Sequence, residues 1–192
     1  MGLRLRFNLV LTVVFLAGLA VSALVSYNLL QRNARAEVVR NAELMIEVAR
    51  AIRAYTVKHV RPELADRLKT VFLPQSVPAY AATTTLGLLP EAYRAFIYKE
   101  ATLNPTNPSH RAIDWEADLV RSFQRDPELN FLSGVRQTPS GDALYIAAPM
   151  RIRNKACLTC HSVPSAAPAT MITRYGNANG FGWKLNEVVG AQ

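Results

Sequence analysis

Only two cysteines occur in the 192 residues, Cys157 and Cys160. They stand too close together to staple distant parts of the fold, and a disulfide framework is excluded. Histidine is almost as scarce, with His59, His110 and His161 alone. Glycine and proline are absent from Leu19 through Arg61, so nothing in that stretch breaks a helix. Charge is absent from Phe7 through Gln31. Acidic residues are in deficit, 14 against 22 lysines and arginines, which leaves a net charge of +8. The bases are scattered and form no block, so a nucleic-acid partner is not indicated.

The uncharged run from Phe7 to Gln31 exceeds the roughly 20 residues that span a bilayer and the roughly 7–15 of a signal-peptide core. It is read as an uncleaved anchor over residues 7–31. Small residues at Ala17-Gly18-Leu19-Ala20 and Val21-Ser22-Ala23 keep signal-peptide cleavage as the alternative. Arg4 and Arg6 precede the run while Arg32, Arg35 and Arg40 follow it, so flanking charge alone does not orient it.

The strongest chemical signal is Cys157-Leu158-Thr159-Cys160-His161. A Cys-x-x-Cys-His pentad attaches c-type haem: each thiol adds to a vinyl group, and the adjoining imidazole ligates the iron. A dithiol redox pair and half of a zinc site are the competing readings. A thioredoxin-like dithiol needs no following histidine, and zinc would have to draw on His59, His110 and His161 with no second cysteine pair. The pentad also orients the anchor, because covalent haem is added outside the bacterial cytoplasmic membrane. Residues 1–6 are then cytoplasmic and the chain beyond residue 31 is periplasmic, giving a single-pass inner-membrane protein. In that setting the positive charge suits haem propionates or anionic lipid as well as solubility.

Val38, Ala42, Met45, Ala49 and Ile52 recur at spacings of three and four, one face of a helix over residues 32–61 that Pro62 ends. This helix is expected to continue the anchor. Beyond it the pattern predicts a short helix from Pro62 to Phe72, a turn at Pro74-Gln75-Ser76-Val77-Pro78 and a helix from Ala79 to Leu86. A strand at Phe96-Ile97-Tyr98, a proline-bound loop at 104–108 and a helix from Ile113 to Arg125 follow. Strands are expected at Leu132–Gln137, Ala143–Ile152 and Trp183–Val189, with a turn at Pro139-Ser140-Gly141 and the pentad in a loop after the longest strand. The fold class is α+β, with helices flanking a small antiparallel sheet.

Several stretches together resemble one family. They are Ala54-Tyr55-Thr56 with Val60-Arg61-Pro62, residues 77–82, Tyr98 through Pro108, Asp114-Trp115-Glu116, the pentad, and Asn179 through Gly190. The chain from about residue 40 is similar to the single-haem, PAS-like c-type sensor domains that serve as extracytoplasmic input regions of bacterial receptors such as histidine kinases. The resemblance implies a PAS-like antiparallel sheet over residues 62–192 behind a long N-terminal helix. It also implies one covalent haem on Cys157, Cys160 and His161, and a redox or small-ligand sensing role. Relatives commonly continue into a second membrane helix and an output module, whereas this sequence ends at Gln192. A receptor fragment and a stand-alone anchored cytochrome both fit. A similar protein uses a cysteine as the sixth iron ligand, and no third cysteine exists here.

That leaves Met45 and His59 on the long helix, then Met171, as candidates for the far side of the iron, with an open position as the alternative. Met150 reads as packing, and His110 as a solvent-exposed loop histidine. Arg111, Arg151, Arg153 and Lys155 are candidates to neutralise propionates. Trp115 and Trp183 read as core aromatics. Asp114 and Glu116 lie too close in sequence to face one another on a helix, and no nucleophile–base pair accompanies them, so the chain is read as no enzyme. The expected function is a membrane-anchored haem sensor of redox state or of a small gaseous ligand, with a homodimer through the long helix and an output module as partners. A tethered electron-transfer cytochrome with a redox partner is the alternative.

Overall fold

The computed structural model describes residues 2–93, 96–139 and 141–192. The first helix, α1, runs Leu3–Tyr55. The chain divides into two units, Met1–Asn41 and Ala42–Gln192. In the first, the apolar side chains from Leu3 to Leu30 stand exposed. This helix is long and apolar enough to cross a membrane, and a signal sequence meets the same test.

In the second unit the inward line of α1 is Ile46, Ala49 and Arg53, continued by Thr56 just past its end, again at spacings of three and four. Only Ile46, Ala49 and Thr56 are fully buried along it. Ala49 belongs to the expected stripe, whose Ala42, Met45 and Ile52 are half-buried, so the packed face is that stripe widened to take in Ile46 and Arg53. Pro62 does not end the helical path. The helix widens to a π turn at Thr56–Val60, then tightens into a last short helix α2, Arg61–Glu63, where proline occupies the opening turn. A proline in a first turn removes no intrahelical donor, because that N–H has no partner to lose. Beyond α2 the expected helix from Pro62 to Phe72 contracts to a 3-10 turn at Arg67–Lys69.

Helix α3, Pro78–Gly87, forms as the sequence predicts. The Phe96-Ile97-Tyr98 strand does not, and Ile97 is 91% exposed. The strand lies a few residues on, β1 at Ala101–Thr102. Helix α4, Asp114–Arg125, turns Ala117, Val120 and Phe123 inward. Strands β2, Leu132–Thr138, and β3, Gly141–Ala147, make a separate antiparallel hairpin. Ser140 of the expected turn lies outside the described residues. The single strand expected over 143–152 breaks at Ala148 into β3 and β4, Pro149–Arg151. The last strand, β5, is Val188–Ala191 rather than Trp183–Val189.

A three-stranded antiparallel sheet has the order β1-β5-β4, with Thr102 opposite Gly190 and Gly190 opposite Met150. A register shift between Met150 and Arg151 leaves Val189 without a partner on β4, so β5 departs from strict alternation there. Val188 joins Val120 and Phe123 of α4 in one core, while Val189 joins Met150 and Ile152 on the other side beside Cys157 and Trp183. The sheet is thus backed by α4 and presents its second face to the pentad.

Glu116 starts α4: one carboxylate oxygen accepts from Ile113 N at 2.9 Å and from Lys99 Nζ at 2.6 Å. Loss of such a cap costs about 1 kcal/mol. Glu116→Ala is expected to lower unfolding stability by about 1–2 kcal/mol, with Glu116→Gln falling between, in urea titrations followed by tryptophan fluorescence.

Candidate functional site

The pentad is helical rather than a loop. Cys157 closes a 3-10 turn, Lys155–Cys157, and α5 follows at Leu158–His161. Asn154 begins the turn by accepting Ala156 N at 2.8 Å. In a helix, residues at i, i+3 and i+4 share a face, so this conformation aims Cys157, Cys160 and His161 the same way. All three line one cavity, and both thiols are free.

The cavity's empty space, its mouth included, is about 1450 Å³. Its floor is the sheet face carrying Thr102, Met150, Ile152 and Val189. Arg53, Val57 and Arg61 come from the end of α1, the π turn and the start of α2, at intervals of four. Phe72, Pro74 and Val77 close one flank, and Pro105, Thr106 and His110 another. Met171 enters from α6, Ala169–Tyr175, a helix that does not stand out in the sequence.

His161 is held from behind. Its Nδ1 donates to Gly180 O at 2.7 Å, with Thr106 Oγ1 at 3.5 Å. Its ring stacks on Trp183 with centroids 4.0 Å apart. The segment carrying Gly180 and Trp183 is zipped to the pentad, Gly182 N donating to Ser162 O at 2.8 Å and Trp183 N to His161 O at 3.1 Å. A carbonyl partner makes Nδ1 the protonated nitrogen and leaves Nε2 with its lone pair, the arrangement of a metal-ligating imidazole. Burial lowers the affinity of His161 for a second proton; the Gly180 bond opposes this, and Arg61 and Arg53 add to it.

Arg61 donates to Ala156 O at 3.1 Å and approaches Cys160 Sγ at 3.7 Å. Burial raises the Cys160 thiol above its ordinary pKa, and Arg61 pulls against it. A second polar cluster lies on the α1 side. Arg53 is paired with the carboxylate of Glu100, which is only 2% exposed. Tyr98 Oη donates to the other Glu100 oxygen at 3.0 Å. With its amide turned to satisfy both neighbours, Gln192 donates to Tyr98 Oη at 3.2 Å and accepts from Arg50 Nε at 2.8 Å. Burial alone would lower the Arg53 guanidinium, yet Glu100 holds it above its usual range. Burial, then the adjacent Glu100 charge, keeps Tyr98 protonated well beyond the usual phenol range.

Of the candidates for the far side of an iron, the structure brings Met171 to the cavity, 4% exposed, and leaves Met45 and His59 away from its lining. His59 is exposed and stacks on Tyr55 at 5.3 Å. Arg53, Val57 and Arg61 take the cavity wall there, and His59, within the π turn, falls off their line. His110, expected in solvent, is half-buried and lines the cavity. Its Nδ1 lies 3.0 Å from Glu100 O. Among the four expected propionate partners, Arg151 lines the cavity while Arg111, Arg153 and Lys155 are exposed. Trp183 is a site residue, whereas Trp115 packs 5.5 Å from Tyr145 and carries Arg136 over its ring. Arg61, Glu100 and Gly180 lie within the stretches that carry the family resemblance but have no role assigned there, and Arg53 lies outside them. Only the paired glycines of Asn179-Gly180-Phe181-Gly182-Trp183 offered a signal, a backbone made to approach something closely.

These residues fit haem c in chemistry: two unpaired thiols and an imidazole with a free Nε2 on one wall, apolar floor, and guanidinium groups on the α1 side. Among the described residues no three His, Cys, Asp or Glu side chains cluster as an alternative metal set.

Comparison with known proteins bears on this arrangement. Residues 31–192 match the family model described as Tll0287-like: Tll0287. Among solved structures, the crystal structure of the cyanobacterial heme-protein Tll0287 aligns with a TM-score of 0.61 at 15% identity. The match covers 81% of this chain and 91% of that one. At that identity the likeness concerns the fold. No curated protein matches the sequence.

Proposed function

The chain belongs to the Tll0287-like family, and from that premise we propose that its cavity holds one haem, in a membrane-anchored domain that senses redox state or a small gaseous ligand. Thioethers to Cys157 and Cys160 and ligation by His161 attach the group. The observation that carries this reading is the imidazole whose Nδ1 is committed to Gly180 O at 2.7 Å while both thiols share its cavity wall. Haem supplies an iron that changes oxidation state and takes a further ligand. The residues do the rest. Gly180 and Trp183 fix the plane of His161, Arg61 holds the backbone of Ala156 next to the first cysteine, and Arg53, Arg61 and Arg151 offer positive charge to carboxylate groups.

In this reading residues 7–31 cross the inner membrane once and the remainder forms a PAS-like periplasmic domain. The role is binding and signalling rather than catalysis. Sensing is favoured over plain electron carriage because Arg53 of α1 and Val57, just beyond it, are themselves cavity wall. Whatever alters the occupant then alters the packing of α1.

The attachment is tested on full-length protein made in a host that matures c-type cytochromes. The pyridine haemochrome is expected to show covalent haem, and Cys160→Ser to give the spectrum of a single thioether. Free dithiol in the mature wild-type protein defeats the reading. For the sensing role, nitroxides at the exposed Glu47 and Gln137 should report different distance distributions in ferric and ferrous protein. Superimposable distributions leave only electron transfer.

A further inference from the structure

His110 repeats the arrangement of His161. It closes a 3-10 turn, Pro108–His110, that Asn107 caps by accepting Ser109 N at 3.1 Å. Its Nδ1 is 3.0 Å from Glu100 O, so Nδ1 carries the proton and Nε2 is the free nitrogen. Both imidazoles line the same cavity as the two cysteines. The carbonyl that orients His110 is itself anchored, because the Glu100 side chain is buried against Arg53 of α1 and Tyr98. A hydrogen bond from the second ring nitrogen to a fixed carbonyl is what a ligating histidine requires.

We propose that His110 is the second axial ligand of the haem, and that Glu100 and Arg53 tie its position to α1. The assignment rests on the attachment reading above and deepens it. Met171 on α6 and Met150 on β4, the thioethers in the lining, are buried side chains and serve as apolar wall. The link through Glu100 gives the sensor a route: a small ligand that displaces the His110 imidazole frees the loop whose anchor grips α1.

The test uses the full-length mature protein in detergent. Wild-type ferric protein is expected to be low-spin by electron paramagnetic resonance, with the near-infrared magnetic circular dichroism of two imidazole ligands. His110→Ala should turn it high-spin, speed carbon monoxide binding to the ferrous form by at least about tenfold, and regain the low-spin signal on addition of free imidazole. Met171→Ala should stay low-spin. His110→Met guards against a folding defect, and should remain six-coordinate with a raised midpoint potential. Low-spin His110→Ala with wild-type carbon monoxide kinetics, or loss of the low-spin signal in Met171→Ala instead, overturns the assignment and leaves attachment intact. Lack of covalent haem in the wild-type protein overturns both.

Discussion

Arg53→Met is expected to destabilise the Ala42–Gln192 unit by about 3–5 kcal/mol, the usual cost of leaving a buried charge without its partner. Glu100 is 2% exposed, and among the described residues its carboxylate has Arg53 and the Tyr98 hydroxyl as side-chain partners, the latter at 3.0 Å. Methionine preserves most of the arginine stem, so the loss isolates the charge rather than the packing. For a unit of this size the shift corresponds to a melting temperature lower by roughly 6–20 °C. Near-ultraviolet circular dichroism of the full chain in detergent reads it without interference from the apolar part of α1. Arg53→Met with Glu100→Gln removes both charges and is expected to recover more than half of the loss. If the double variant is no more stable than Arg53→Met alone, Arg53 acts through packing and the ion pair is not the cause. The same single variant loosens Glu100, so it should also broaden the ferric spectrum if Glu100 positions His110.

Gly180→Ala should weaken the opposite wall. The glycine has φ +82°, and a Cβ there would collide with Thr106 Oγ1 and lie 2.9 Å from Thr106 N. Overpacking of this kind costs about 1–3 kcal/mol, and a side chain in left-handed backbone about 1–2 kcal/mol more. The strain falls on the carbonyl that holds His161 Nδ1, so the expected result is poor haem incorporation as well as lower stability. Haem-to-protein ratio and melting temperature measure the two separately. Thr106→Ala in the Gly180→Ala background removes the nearest atom but not the Thr106 backbone, and should restore part of the loss. Normal incorporation in Gly180→Ala would mean that His161 does not need this brace.

Some of this was legible in the residues. Lack of glycine, proline and charge foretold an uninterrupted apolar N-terminal helix, because those features are local and act through backbone propensity and solvation. The α3 and α4 helices and the first hairpin strand came out near their expected bounds for the same reason. The pentad was legible as chemistry, since its spacing in sequence is also its spacing on one helical face. Long-range contacts were not. Ala148 and Pro149 split a strand whose composition looks continuous, and β5 takes its register from Met150 and Thr102, residues remote in sequence. On α1 the periodicity marks the packed face through Ala42, Met45, Ala49 and Ile52, but not how far that face extends around the helix. Its extent depends on what packs there, and the widened face brings Arg53 to Glu100 and leaves His59 outside.

By itself, then, the sequence determined the helical N-terminus, the α+β character and the three residues able to attach a cofactor, all consequences of neighbours along the chain. The tertiary structure alone decided what faces them. Gly180 lies 19 residues from His161 and Glu100 lies 47 from Arg53, so their contacts arise only when burial outweighs the entropy of closing those loops. His110 belongs to the same class. Nothing in Asn107-Pro108-Ser109-His110 distinguishes a solvent histidine from a ligand until the Glu100 carbonyl accepts a hydrogen bond from its Nδ1.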